Sequence, residues 1–244
     1  MDMMTKYKIA VIIPAFNEEQ TIGEVIKGVK KSLPGAQIVV IIDKSTDRTV
    51  QIARHLGARV IRLPLKMGMG CAIQAGLKYA YRKGYEFVVR MDSDGQHIPE
   101  GIAGLLLPVL NKEADLTVGS RYLNDNRYRA PVLRRGVMAM MAWIVSVVYG
   151  RRFTDTTSGF KAMNRKALGF LANNYPTIGG TPTLILLKNS GFKVIEVGVH
   201  MKERDTGKSY FTFVRKVAYV SRVFIELLAL MLRKKNRVAE EAEI

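Results

Sequence analysis

Phe87-Val88-Val89-Arg90-Met91-Asp92-Ser93-Asp94-Gly95-Gln96-His97 changes character half-way along. Its first five residues make a short, mostly apolar run of the kind that buried strands have. The last six make an acidic turn opened by a glycine. Working outward, Lys8–Ile13 and Gln37–Ile42 are rich in Ile and Val, as buried parallel strands tend to be. Arg59–Leu63 and Asp115–Val118 read the same way. Between these runs the apolar spacing turns helical over Thr21–Ser32, Asp47–Leu56, Cys71–Lys83 and Pro99–Asn111. Leu33-Pro34-Gly35 and Gly57 fall where helices need breakers. Strands alternating with helices imply an α/β fold, a mostly parallel sheet flanked by helices on both faces. Ligands of such sheets bind beyond the carboxyl ends of the strands. The acidic turn after the fourth strand lies at such an end.

The alternation lapses in the second half. A basic loop (Asn124–Arg135) leads to an apolar segment (Val137–Tyr149) and a polar loop (Arg151–Gly159). Helices near Arg165–Asn174 and Thr183–Ser190, a strand over Phe192–Val199, a basic C-terminal helix and an acidic tail complete the reading. We divide the chain into a domain over residues 1–210, including the apolar segment 136–149, and a basic amphipathic helix and tail over 211–244.

Composition limits the partners. Of 244 residues 48% are hydrophobic, enough to bury a core, and 38 Lys and Arg outnumber 21 Asp and Glu to give a formal charge of +17. Such an excess favours nucleic acid, lipid headgroups or phosphorylated substrates. Nucleic acid ranks last, because no nucleic-acid module is visible and the basic residues cluster beside apolar segments. The single Cys71 excludes an internal disulfide and fits a reducing compartment. Met1–Lys8 is short and polar, so no secretory signal is expected. No stretch reaches the roughly 18 uncharged apolar residues of a spanning helix. Val137–Tyr149 and Val217–Leu232 approach it and read either as core helices or as helices lying in a membrane interface.

Two carboxylates two residues apart, Asp92 and Asp94, can reach one hard divalent cation, and Gln96 can add an amide oxygen. A cation so held can bridge the phosphates of a nucleotide diphosphate and offset charge on a leaving group. A solvated acidic turn is the competing interpretation. Asp43 ends the second strand, where it could accept from a base N–H or cap the next helix, with Ser45 or Thr46 as rival caps. Arginine guanidiniums match phosphate oxygens with a planar fork of donors.

The hexapeptide Asp92–His97 resembles the metal motif of the family 2 glycosyltransferases, especially the polyprenyl-phosphate mannose and glucose synthases. Other blocks follow in that family's order. Val11–Glu19 resembles its opening strand and nucleotide loop, Ile42–Asp47 its second-strand motif, and Gly119-Ser120-Arg121 the end of its fifth strand. Asp155–Phe160 and Arg204–Ser209 are similar to two later blocks of its lipid-phosphate branch.

The resemblance implies a GT-A-like, Rossmann-like fold with appended amphipathic membrane-interface helices. It implies inverting transfer of a hexose from a nucleotide-sugar to a polyprenyl or dolichyl phosphate, with mannose from GDP-mannose preferred and glucose from UDP-glucose next. By the same resemblance Asp92, Asp94 and Gln96 would hold Mg²⁺ or Mn²⁺, and Pro14, Phe16, Glu18 and Asp43 the nucleoside. Arg121, Arg134, Arg135, Arg204 and Lys208 would meet the phosphates. Asp92 and Asp94 would serve catalysis through the metal, and Asp155 would lie near the sugar. No general base is required, because a lipid phosphate is already an anionic nucleophile.

The chain departs from the family pattern at Ile42, Lys44, Met69 and Tyr210, and near residue 182 where an acidic residue is usual. These departures motivate the alternative of a membrane-associated homologue that binds nucleotide or a partner without turnover. Within the resemblance, the segment after Arg135 and the C-terminal helix would rest on an anionic membrane, placing the protein on the cytoplasmic face as a peripheral or monotopic enzyme. Met138, Met140, Met141, Trp143 and Ile144 would give the first an adaptable apolar surface. Phe211, Phe213, Val217, Val223 and Leu227 beside Arg215, Lys216 and Arg222 would give the second a mixed apolar and basic face.

Overall fold

A computed structural model describes residues 4, 6–123, 132–176 and 179–202, and from the C-terminal stretch residues 221, 223, 225–226 and 229–230. Among these, β1 (Ile9–Ala15), β2 (Gln37–Ile42), β3 (Arg59–Arg62), β4 (Phe87–Arg90), β5 (Leu116–Ser120), β6 (Lys161–Asn164) and β7 (Val194–Gly198) form one sheet ordered β3-β2-β1-β4-β6-β5-β7. Only β6 runs antiparallel to its neighbours. The sequence assigned no strand there. Four residues with a lysine and an asparagine carry too little apolar signal to announce one.

Seven helices flank the sheet among the described residues: α1 (Ile22–Ser32), α2 (Thr49–His55), α3 (Met69–Arg82), α4 (Ile102–Leu110), α5 (Val132–Tyr149), α6 (Arg165–Asn174) and α7 (Thr181–Asn189). The expected helix from Pro99 starts as a tight 3-10 turn over Pro99–Gly101. That is where proline's missing N–H does least harm. All seven residues of β1 are buried, because parallel strands covered on both faces have no wet side.

Two cores result. Ile12, Val39, Ile41 and Val88 pack toward α3, α5, α6 and α7, while Val11, Ile13, Val40 and Val89 pack toward α1, α2 and α4. Fully burying each such side chain contributes roughly 1.5–3 kcal/mol. Strand order reverses between β1 and β4, so the crevice outside their carboxyl ends is the topological switch point.

The structure corrects the reading of the two apolar segments. The helix after the basic loop begins at Val132, earlier than expected. Met138 and Met141 point into the core with Val145, not outward. The outer face carries Met140, Trp143 (66% exposed) and Val147 (63% exposed). Val223 and Leu230 of the C-terminal stretch are also core residues, with the Leu230 carbonyl accepting from Asn189 at 2.8 Å. Ile225 is exposed. One face of α5 thus belongs to the core and the other is exposed. Among the described residues no helix is long and apolar enough to cross a membrane.

Candidate active site

The loops after β1 and β2 are laced together. Asn17 N–H donates to Ser45 Oγ (3.0 Å), and Asn17 Oδ1 accepts from Thr46 N–H (2.8 Å). Glu18 N–H donates to Thr49 Oγ1 (2.9 Å), and Glu19 Oε2 accepts from Arg48 N–H (3.1 Å). Thr21 Oγ1 donates to the carbonyl of Ser93 at 2.7 Å, tying this pair of loops to the acidic turn. Pro14, Phe16 and Glu18 thus stand at one rim of the switch-point crevice, with the Lys66 ammonium 3.9 Å over the Phe16 ring.

Asp43 is buried and has a partner that was not foreseen. Its carboxylate accepts from the backbone N–H groups of Met67 (2.7 Å) and Gly68 (2.9 Å), pinning the loop before α3. At the entry to α2 the carboxylate that accepts is that of Asp47, from Thr49 N–H at 3.0 Å, one residue before the N-cap Arg48. Lys44 occupies φ +60°, the left-handed region that costs an L-residue roughly 1–2 kcal/mol. Lys44→Gly is therefore expected to raise the midpoint of thermal unfolding slightly. A lower midpoint would mean that the lysine side chain itself stabilises this turn.

At the end of β4, the Asp92 amide donates to Nδ1 of His97 at 2.9 Å, and Arg90 Nη2 donates to Asp92 Oδ1 at 3.1 Å. Burial pushes the Asp92 carboxyl up, but the surrounding positive charge, that of Arg90 first, outweighs burial and holds it below its ordinary range. His97 is buried and stacked on Phe160, with ring centroids 4.9 Å apart. Burial also holds it below the usual histidine range, against the pull of Asp92 and Asp94. It is a neutral prop for the turn, since its Nδ1 accepts a hydrogen bond. Gly95 has φ +76°, which lets the turn close. Asp94 Oδ1 accepts from Gln96 N–H at 3.1 Å, while Gln96 pairs with Lys202 through its carbonyl at 2.9 Å. A Cβ on Gly159 would overlap the Asp92 carboxylate, so that carboxylate rests directly against the backbone.

The donor types fit a hard divalent ion: two carboxylates and an amide oxygen belong to one turn at a sheet's carboxyl edge, with the Gln96 amide nitrogen donating to the Lys202 carbonyl at 3.5 Å. Among the described residues no group of three His, Cys, Asp or Glu side chains could hold such an ion unaided.

Asp155 is 1% exposed and forms a bidentate pair with Arg121, Nε–Oδ2 2.6 Å and Nη2–Oδ1 2.8 Å. Glu196 accepts from the backbone N–H groups of Asp155 (2.6 Å) and Thr154 (2.8 Å), and burial pushes its carboxyl up. Losing one partner of a buried pair of this kind costs roughly 3–5 kcal/mol.

The sequence reading passed over Arg90, Lys161 and Glu196. Arg90 and Glu196 did leave a signal, a charge within an apolar strand, whereas Lys161 left none because its strand was itself unannounced. Of the expected phosphate ligands, Arg135 is exposed in the first turn of α5. The side chain of Arg134 lies outside the described residues, as do Arg204, Lys208 and Tyr210.

A mixed, mostly parallel sheet with this acidic turn defines a GT-A-like glycosyltransferase fold. Residues 10–177 match the family described as Glycosyl transferase family 2, and the chain belongs to that family. It is 33% identical over 210 residues to the polyprenol monophosphomannose synthase of Mycolicibacterium smegmatis, covering 82% of this chain and 79% of the relative. It is 30% identical over 214 residues to the UDP-N-acetylglucosamine–dolichyl-phosphate N-acetylglucosaminyltransferase of Methanococcus voltae, covering 78% and 84%. Among solved structures, the glucosyl-3-phosphoglycerate synthase of Mycobacterium tuberculosis in complex with Mn²⁺, uridine diphosphate and its product superposes with a TM-score of 0.70. That match is 22% identical and covers 92% of this chain and 80% of the other, a likeness of fold.

Proposed function

We propose that the chain transfers a hexose, with inversion, from a nucleotide-sugar to a polyprenyl or dolichyl phosphate. The carrying observation is the Asp92–Asp94 turn, which faces the laced β1 and β2 loops across the switch-point crevice. Relatives that act on polyprenol and dolichyl phosphates support the acceptor. Mannose from GDP-mannose is the preferred donor and glucose from UDP-glucose the next.

Mg²⁺ or Mn²⁺ held by Asp92, Asp94 and Gln96 would supply positive charge to the departing diphosphate. Pro14, Phe16 and Glu18 would seat the nucleoside, with Asp43 acting through the loop that it pins. Asp155, oriented by Arg121, would form a fixed wall beside the sugar. Arg134, Arg135, Arg204 and Lys208 would hold the acceptor's phosphate, whose own charge makes a protein base unnecessary. Catalysis then comes from positioning and charge stabilisation. The test is a screen of labelled nucleotide-sugars against a short polyprenyl phosphate with Mn²⁺. Turnover abolished by EDTA is expected. Nucleotide binding without transfer from any donor would favour a binding-only homologue.

We place the enzyme on the cytoplasmic membrane face, resting through the Met140–Trp143–Val147 face of α5 and the basic C-terminal stretch. The double substitution Trp143→Gln, Val147→Gln should weaken flotation with anionic liposomes and leave thermal stability intact. Undiminished flotation would remove α5 from the contact. Deleting 211–244 is a poorer test, because Val223 and Leu230 belong to the core.

A further inference from the structure

Beneath the acidic turn two cations lie side by side. Arg90 on β4 is in register with Lys161 on β6, so both side chains leave the sheet on one face. Lys161 is 2% exposed, and its Nζ makes no hydrogen bond among the described residues. A buried ammonium without a partner is costly, and a hydrophobic side chain of its length would fill the same space without that cost. Its electrostatic neighbours are Arg90, Asp92 and Asp155. Asp155 is already matched by Arg121. The remaining charges at the turn are two negative, on Asp92 and Asp94, and two positive, on Arg90 and Lys161. His97 accepts at Nδ1 and adds no charge there, while the Glu18 carboxylate stands on the other side of the turn, bonded to the Thr21 hydroxyl that also donates to Ser93.

We propose that Lys161, together with Arg90, balances the charge of the acidic turn so that it binds a divalent ion well only when a nucleoside diphosphate arrives with it. This rests on the metal-assisted reading above. A bare divalent cation meets a weakened field, since the attraction of Asp92 and Asp94 is opposed by the cations behind them. A diphosphate brings the missing negative charge and further oxygen ligands. The enzyme therefore takes metal and donor as a unit and does not hold the ion between turnovers. Lys161 touches no substrate in this scheme. It acts through the field at Asp92.

The test reads Mn²⁺ binding to the full chain by the electron paramagnetic resonance of free Mn²⁺ at pH 6.5, with no nucleotide, with GDP and with UDP. The Mn²⁺–nucleotide complex formed in buffer is subtracted, and equilibrium dialysis with labelled nucleotide is run in parallel. In the unsubstituted protein a nucleoside diphosphate should tighten Mn²⁺ binding at least about tenfold, as a unit charge at this range implies. Lys161→Met should tighten nucleotide-free Mn²⁺ binding by about the same factor and shrink the nucleotide's effect, and Lys161→Arg should restore the original behaviour. Lys161→Gln follows the same logic should the methionine variant not fold.

Equally tight Mn²⁺ binding with and without nucleotide in the unsubstituted protein overturns the inference. So does a folded Lys161→Met whose nucleotide-free affinity is unchanged or weaker. Neither nucleotide binding in dialysis would instead overturn the donor reading itself.

Discussion

Gly159→Ala should reduce Mn²⁺-dependent sugar transfer by at least about a hundredfold, the upper range for groups that orient a metal ligand, while the protein stays folded. The added methyl would meet Asp92 Oδ1 at 2.7 Å and Cγ at 2.8 Å, and would overlap Oδ2. Asp92 has little room to retreat. Arg90 holds one carboxylate oxygen and His97 holds its amide. The carboxylate must swing away from the backbone, breaking its bond to Arg90 and leaving the position from which it would meet an ion.

Asp94→Ala should cause a loss of similar size by removing a ligand with little other disturbance, since among the described residues its side chain's hydrogen bond is to Gln96 N–H. Initial rates at saturating Mn²⁺, with thermal midpoints measured alongside, decide the matter. Full activity in Gly159→Ala would show that the Asp92 carboxylate has no part in the chemistry. Full activity in Asp94→Ala would remove the turn as a metal site.

The parts legible in the sequence were those where a single physical demand dominates. β1, β2 and β4 announce themselves because a parallel strand buried on both faces needs an unbroken apolar run, and Val11–Ile13 or Ile38–Ile42 can be little else. The turn that follows β4 was legible for a similar reason, because Gly95 at φ +76° supplies the backbone that closes it.

What escaped depended on partners distant in sequence. That Asp43 also pins the loop at Met67 and Gly68 was not to be read from its neighbours in the chain. Nor was the ion pair between Arg121 and Asp155, which lie 34 residues apart. β6 was hidden because its inward face carries a cation. The α5 methionines could be divided between core and surface only once α7 lay against the helix. Each failure is a pairing that no local pattern encodes.

Lys161 gives the other large effect, on stability. Burial first, and Arg90 beside it, push its ammonium down from 10.5 to about 7, against the pull of Asp92 and Asp155. Between those values the unfolded chain binds a proton that the folded chain lacks, so stability rises with pH across that window. Below it both states are protonated, and the full cost of burying the charge is present. Lys161→Met should therefore stabilise the metal-free protein by on the order of a few kcal/mol near pH 6.

The gap should narrow steadily as pH rises. Urea unfolding of both proteins with chelator present, from pH 6 to about 9.5, measures it. Each profile alone also carries an opposing slope at its upper end, because burial pushes the Tyr149 hydroxyl up while unfolded tyrosine ionises near pH ~10. Subtracting one profile from the other cancels every group that the two proteins share. Parallel profiles would mean that the ammonium is solvated in the folded state, and the charge balance beneath Asp92 would lose its buried member. A narrowing gap, with a variant both more stable and less dependent on nucleotide for Mn²⁺, would identify a charge kept at a cost to the fold for what it does to the turn above.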